Sequence, residues 1–332
     1  MPRPVDVIPG RLRRLAEELA EEGFAFAGDQ WWELLLGELD YALHPHVHER
    51  RVPSFGAIIE PTTDISTWEK PTGLEITSRP LEGRPLASSR RYADGMSSWL
   101  LRRDDGPDEL VVLDRAAGSE RDQVVMATAM GATFVQRHPN GSIRVVGAFG
   151  VLRWDGVSWH HEPPITAWID DLMVCAEHGE REVVSKLLEF AVHDLGARGI
   201  GALLVYRPID DPVPMMELRF PVPPALEVLR AADLAPLRHV LGQTDGAAVL
   251  DGTGTLRQLG VRLVPSPEAE AGVDGYRGMR HTAARRYSFD DSRATIIVVS
   301  EDGPVTVLRN GELLGSSNSA PVALIARPDG DD

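Results

Sequence analysis

A chain of 332 residues with 43 % hydrophobic content is long enough for two domains, each with its own core. Its net charge of -16 argues against a general nucleic-acid binder, because neutralising phosphates takes an excess of Lys and Arg on at least one face. A lone cysteine, Cys175, excludes an intrachain disulfide and a multi-cysteine zinc site. No run approaches the ~20 apolar residues that span a bilayer, so a soluble cytoplasmic protein without membrane partners is expected.

Leu12, Leu15, Ala16, Leu19 and Ala20 recur at helical spacing among glutamates, with Gly23 placed to end the helix. A second helix starts after Asp29, a good N-cap, and runs through Trp31, Leu34, Leu35 and Leu36 towards Leu43, and the two are expected to pack as a pair. His44, His46 and His48 alternate and on a strand would share one face. Pro45 at a helix exit and the lack of a carboxylate pattern favour a loop over a metal site. From Val52 to about Pro163 short β-rich runs alternate with turns such as Pro139-Asn140-Gly141 and Asp155-Gly156, which predicts antiparallel sheet. Residues 62–108 read as polar loop.

Pro163-Pro164 marks a boundary, giving an N-terminal α+β domain over 1–165 and a second domain over 176–325. In the second, Val183, Val184, Leu187, Leu188, Ala191 and Leu195 predict a helix that feeds a buried strand over Ile200–Tyr206, a helix–strand unit of an α/β sheet. Residues 208–224 read as a Pro-rich loop, followed by a helix over 225–232 and a leucine-bearing stretch to Val240. Strands over 247–250 and 256–264, a helix opened by Arg280-His281, and two strands ending near Leu308 complete the expected order, with a frayed chain end. The fold class expected is α/β, a C-terminal mixed sheet flanked by helices behind the α+β domain.

Two stretches carry chemistry. Asp245-Gly246 puts a carboxylate and a glycine at the mouth of an apolar strand, and Arg280-His281 puts a guanidinium and an imidazole where a helix begins. Each is weak evidence alone, since Asp-Gly is a common tight turn and a charged pair at a helix start is often just solvated. Together they can hold Mg²⁺ or Mn²⁺ against a triphosphate, while helix amides and arginines take phosphate oxygens. Arg277, Arg280, Arg285, Arg286 and Arg293 supply local positive charge in an acidic chain.

In this order, Asp245-Gly246-Ala247 and Gly278-Met279-Arg280-His281-Thr282-Ala283-Ala284 resemble the Asp-Gly-Ala and Gly-Thr-Arg-His-Arg-Ala-Ala motifs of the diadenylate cyclase domain. The Arg198–Val205 strand and the Val298–Glu301 strand end are similar as well. The resemblance covers about 181–314. It implies condensation of two ATP molecules to cyclic di-AMP with release of two pyrophosphates, by metal-assisted adenylyl transfer between face-to-face protomers of a homodimer or higher oligomer. It also implies that Asp245 assists the ribose 3′-hydroxyl or the metal, that His281 binds the metal, and that Arg280 and Thr282 hold phosphate. Ser300 and Glu301 would line the phosphate side, and Thr244, Gly246, Ala247 and Gly278 would meet the nucleotide. Two positions depart from the motif: Met279 replaces a threonine, and Thr282 replaces the second arginine. The second change removes a bidentate phosphate contact, for which Arg285 or Arg286, about a turn further on, is the candidate replacement. A catalytically degenerate nucleotide-binding sensor of the same fold is the alternative, and an interaction protein whose motifs are structural turns is a third reading.

Overall fold

The computed structural model describes residues 10–22, 24–26, 31–47, 49–166, 169, 178–208, 216–217, 220–276, 278–301, 304–316 and 323–325. Cys175, Arg277 and His48 lie outside them. The chain divides into two units, Met1–Pro164 with Ala320–Asp332, and Ile165–Ser319.

In the first unit, helices α1 (Gly10–Glu21) and α2 (Trp31–Leu43) form as their spacing predicts. They bury Leu15, Leu19, Leu35, Leu36 and Leu39 with Phe55, Ala57, Ile59, Leu100 and Val135 of one sheet face. The sheet has eight strands: β2 (Phe55–Ile59), β3 (Ile76–Pro80), β4 (Ser98–Arg102), β5 (Glu109–Leu113), β6 (Thr133–Arg137), β7 (Ile143–Gly147), β8 (Gly150–Trp154) and β9 (Trp159–Glu162). Their order is β3-β5-β4-β2-β6-β7-β8-β9. Period-two alternation sends Ile58, Trp99, Leu101 and Phe134 to the opposite face, where helix α3 (Glu120–Met130) buries Met126, Ala127 and Met130.

Three expectations need correction here. The sheet is mixed, because β2 and β4 run parallel with Ala57 opposite Leu100. Residues 62–108 hold β3 and β4 rather than loop alone. Helix α3 was not expected, although Ser119 and Asp122 form a capping box and Gly131, at φ 55°, closes it in the left-handed region. Buried charge also ties this unit: Glu38, fully buried on α2, accepts from Arg90 at 2.7 and 3.0 Å and pairs with Arg102. A last strand, β17 (Ala323–Ile325), pairs in parallel with β1 (Phe24–Phe26). The expected limits put 323–325 with the second domain; strand pairing instead returns it to the first.

The second unit carries a seven-stranded sheet of β10 (Ala202–Tyr206), β11 (Met216–Glu217), β12 (Ala247–Leu250), β13 (Leu256–Leu263), β14 (Thr295–Val299), β15 (Val305–Arg309) and β16 (Glu312–Ser316). The order is β11-β13-β12-β10-β14-β15-β16. Only β10 and β12 pair in parallel, Leu203 opposite Ala247. On one face Leu204, Ala248, Ile297 and Val307 pack with helix α4 (His178–Glu189), its continuation through Leu195, and α5 (Ala231–Leu241). On the other, Leu203, Val205, Ala247, Ile296 and Val298 pack with Ala284 and Tyr287 of α7 (Met279–Asp290), which follows the short α6 (Pro267–Gly272). The helix expected over 225–232 begins instead at Ala231. Residues 226–228 are spent on the sheet, Val228 N donating to Gly254 O at 3.0 Å and Leu226 O accepting from Leu256 N at 2.8 Å. Arg207, buried after β10, pairs with Asp291 at the end of α7 at 2.7 Å. No helix among the described residues is long and apolar enough to cross a membrane.

The β12–β13 turn is held by Asp251, whose carboxylate accepts from Thr253 N at 2.9 Å, Thr253 Oγ1 at 2.7 Å, Thr255 N at 3.0 Å and Arg257 Nε at 2.6 Å. Burial pushes its pKa up, but the bonds from Thr253, Thr255 and Arg257 outweigh burial and hold it below the usual carboxylate range. A depressed folded pKa gives stability that is present above the unfolded value and is lost as pH falls through the folded one. Asp251→Asn is therefore expected to lower stability by about 1–3 kcal/mol at pH 7 in urea titrations, with the difference from wild type shrinking as acid protonates Asp251.

Candidate functional site

Because β10 and β12 run in parallel at the centre of the sheet, both begin at the same sheet end, and antiparallel β14 finishes there. The start of α7 reaches the same place. Residues 199–202 before and into β10, 241–246 before β12, Glu301 after β14 and Arg280 in the first turn of α7 line one cleft of about 330 Å³. That size lies within the range of small-ligand sites.

Two glycines shape it. A β-carbon on Gly201 would lie 2.5 Å from Arg280 Nη1 and 2.8 Å from Glu301 Cγ, so these two side chains come together over bare backbone. Gly246 sits at φ 101°, and a β-carbon there would meet the Gly260 carbonyl carbon at 2.8 Å. It therefore needs glycine twice over, for its dihedral and for the close approach of β13, and the strand register slips just beyond it.

The electrostatics are those of an open polar site. Asp245, Arg280 and Glu301 are exposed, and among the described residues none of the three side chains makes a hydrogen bond or ion pair. Helix α7 starts at Gly278 with no side-chain cap and no acidic residue in its first turn. Among the described residues its positive end thus meets no cap and no first-turn carboxylate, which favours an anion.

Of the residues expected from the sequence, Thr244, Asp245, Gly246, Arg280 and Glu301 share the cleft wall. Ala247 is fully buried as the first residue of β12, packed in the core beneath α7. Gly278 caps the helix, and Ser300 is half-buried with its N–H on Pro304 O at 3.2 Å. His281 is buried with its ring edge-on to Tyr276, centroids 5.9 Å apart, and does not line the cleft. No group of three or more His, Cys, Asp or Glu side chains suited to a metal occurs among the described residues.

Thr282 faces elsewhere, in a shallow second cleft of about 270 Å³ with Pro265, Met279, Ala283 and Arg286. The replacement arginines are also committed to the protein. Arg285 donates to Gly311 O at 2.7 Å and to Asp274 O at 3.3 Å, and Arg286 to Val273 O at 3.2 Å. Neither lines the first cleft, so the expectation that one of them restores the lost phosphate contact is not met by this geometry. Met279, 93 % exposed, has no structural rationale for its departure from threonine. Sequence reasoning missed Gly201 and Gln243. The only signal for the first is the Gly199-Ile200-Gly201 spacing ahead of a strand, which alone is weak.

Comparison with known proteins agrees with the two-unit division. Residues 13–162 match the family described as "Probable sensor domain DACNK", and residues 189–313 match that described as "DisA bacterial checkpoint controller nucleotide-binding", the DAC family. No curated protein matches the chain. Among solved structures, a hypothetical membrane spanning protein from Bacillus cereus is 22 % identical, with 41 % of this chain and 70 % of that one covered. Its TM-score is 0.30, too low for any argument.

Gly201→Ala should push the flexible Arg280 tip aside at little cost to the fold while filling the floor between Arg280 and Glu301. The expected result is an unchanged circular dichroism spectrum and melting temperature with nucleotide affinity reduced by about tenfold or more, measured by calorimetry, since a displaced charge-assisted contact is worth roughly 1.5–3 kcal/mol.

Proposed function

With a DAC-family domain at 189–313 behind a DACNK domain at 13–162, the chain has the layout of a sensor joined to a cyclase, and we propose that it condenses two ATP molecules into cyclic di-AMP. The observation that carries the proposal is the convergence of Asp245, Arg280 and Glu301, free of protein partners among the described residues, beside an uncapped helix start in one cleft.

The chemistry asks for what this cleft offers. A ribose 3′-oxygen attacks the α-phosphorus of a second ATP. A 3′-O–P bond forms, the bridging bond to the β-phosphate breaks, pyrophosphate leaves, and the hydroxyl proton is taken up by a base. The same step repeated closes the ring. Such a transfer depends on positioning and charge neutralisation rather than on a covalent enzyme intermediate. Asp245 is the carboxylate placed to accept or orient the 3′-hydroxyl proton, and Arg280 with the α7 amides holds phosphate oxygens. Gly246 and Gly201 let backbone approach the nucleotide.

Two carboxylates against a polyphosphate would repel it, and Arg280, the guanidinium among the described residues of the wall, cannot balance both. A hard divalent cation, Mg²⁺ or Mn²⁺, would balance that charge, with Asp245 and Glu301 as the oxygen donors on the wall; His281, which the family resemblance implies as a ligand, is buried off the cleft and is not among them. When bound, the cation neutralises phosphate charge. Each protomer offers one such cleft among its described residues, so both faces of a pair of protomers are needed, once to join two nucleotides and once to close the ring. The first unit then acts as the input that sets cyclase output, and ATP is the substrate.

One observation favours a second reading, nucleotide binding without turnover: Thr282 does not line the cleft, which leaves Arg280 as the guanidinium on its described wall. A single experiment separates the two. Purified protein incubated with ATP and Mn²⁺ or Mg²⁺ should yield cyclic di-AMP by mass spectrometry, EDTA should abolish it, and Asp245→Ala, still folded, should lose at least about 100-fold in rate. ATP bound but unchanged would establish the second reading.

A further inference from the structure

Thr282 stands where the family motif has an arginine, and the structure gives its side chain a different task. Its hydroxyl accepts from Tyr276 N at 3.0 Å and donates to Tyr276 O at 3.3 Å, clasping both backbone groups of one residue. Tyr276 O also accepts from Gly278 N at 2.6 Å, and Gly278 O accepts from Thr282 N at 2.9 Å. Tyr276 is thus held back against the first turn of the helix. The same helix grips the residues just before: Arg285 Nη1 reaches Asp274 O at 3.3 Å and Arg286 Nε reaches Val273 O at 3.2 Å. Tyr276 in turn lays its ring edge-on to the buried His281, at 71°.

We infer that Thr282 is a positioning residue, which locks residues 273–276 through Tyr276 and so fixes the first turn of α7 that carries Arg280 and His281. The inference rests on the reading of this cleft as a nucleotide site, but the clasp itself is independent of which reaction takes place there. A side chain with a short hydroxyl at this position satisfies two backbone groups at once. An arginine cannot do so from the same Cβ, because its donors lie several bonds further out and it offers no acceptor for Tyr276 N. Reinstating the motif's arginine should therefore unlock the segment rather than improve the site. This is the reverse of what a lost phosphate contact would predict.

The test uses the full chain with Thr282→Ser, Thr282→Val and Thr282→Arg, read by hydrogen exchange of the peptide covering 273–278 and by calorimetric affinity for ATP in Mg²⁺. Serine keeps the hydroxyl and should match wild type within about twofold in both. Valine keeps the shape without the bonds, and it and arginine should each speed exchange at Tyr276 by tenfold or more, weaken ATP at least fivefold and leave the circular dichroism spectrum unchanged. Wild-type exchange in Thr282→Val, or tighter ATP binding in Thr282→Arg, would overturn the inference. Should wild-type protein bind ATP without making cyclic di-AMP, the reaction proposed above fails while both readouts still decide the role of Thr282. If Thr282→Val does not fold, the contrast of Thr282→Ser with Thr282→Arg decides it.

Discussion

The parallel pairing of β10 with β12, in the register that sets Leu203 opposite Ala247, governs where the strand-end residues of the cleft lie. Parallel neighbours begin at the same end of a sheet, so the turn before β12 brings Asp245 and Gly246 beside Gly199–Ala202. A strand antiparallel to β10 must end where β10 begins, which delivers Glu301. The pairing holds because both strands are buried on both faces: Leu204 and Ala248 lie under α4 and α5, Leu203 and Ala247 under α7. A one-residue slip of β12 would exchange those two sets and carry Asp245 off the wall.

On that frame the site is assembled from few strong requirements. Gly246 must be glycine for its dihedral and for β13; Gly201 leaves the floor open on which Arg280 and Glu301 both lie. The start of α7 has no side-chain cap, while Thr282, Arg285 and Arg286 spend their hydrogen bonds on the residues behind it. One helix thus divides its polar side chains between holding the segment before it and lining the cleft. Thr282, one of the two positions that depart from the family motif, falls on the building side.

Much of this was legible in the sequence. Short, near-continuous apolar runs at 202–206, 247–250 and 295–299 announced central strands, and the 3.6-residue spacing from Val183 to Leu195 announced their covering helix. Asp245, Gly246, Arg280 and Glu301 were readable because their motifs are local. What escaped notice depends on partners far along the chain. The strands at 76–80 and 98–102 are short and polar-flanked, and become strands through pairing with β5. Residues 226–228 carry an apolar pattern that suits a helix, yet are captured by 254–256. The return of 323–325 to β1 rests on pairing across nearly the whole chain. Thr282 looked like a weakened phosphate ligand because a motif names a residue type and position, not the backbone groups its hydroxyl can reach.

The central claim is that two such clefts, one per protomer, must act on the same pair of nucleotides. The most direct measurement mixes a fixed amount of wild-type protein with increasing Asp245→Ala protein, with subunit exchange confirmed independently, and follows cyclic di-AMP by mass spectrometry. For random pairing at equal affinity, cyclic product per protein should fall roughly as the square of the wild-type fraction, as mixed pairs join nucleotides without closing the ring. A strictly linear fall would show that one protomer completes the cycle alone and would contradict the account.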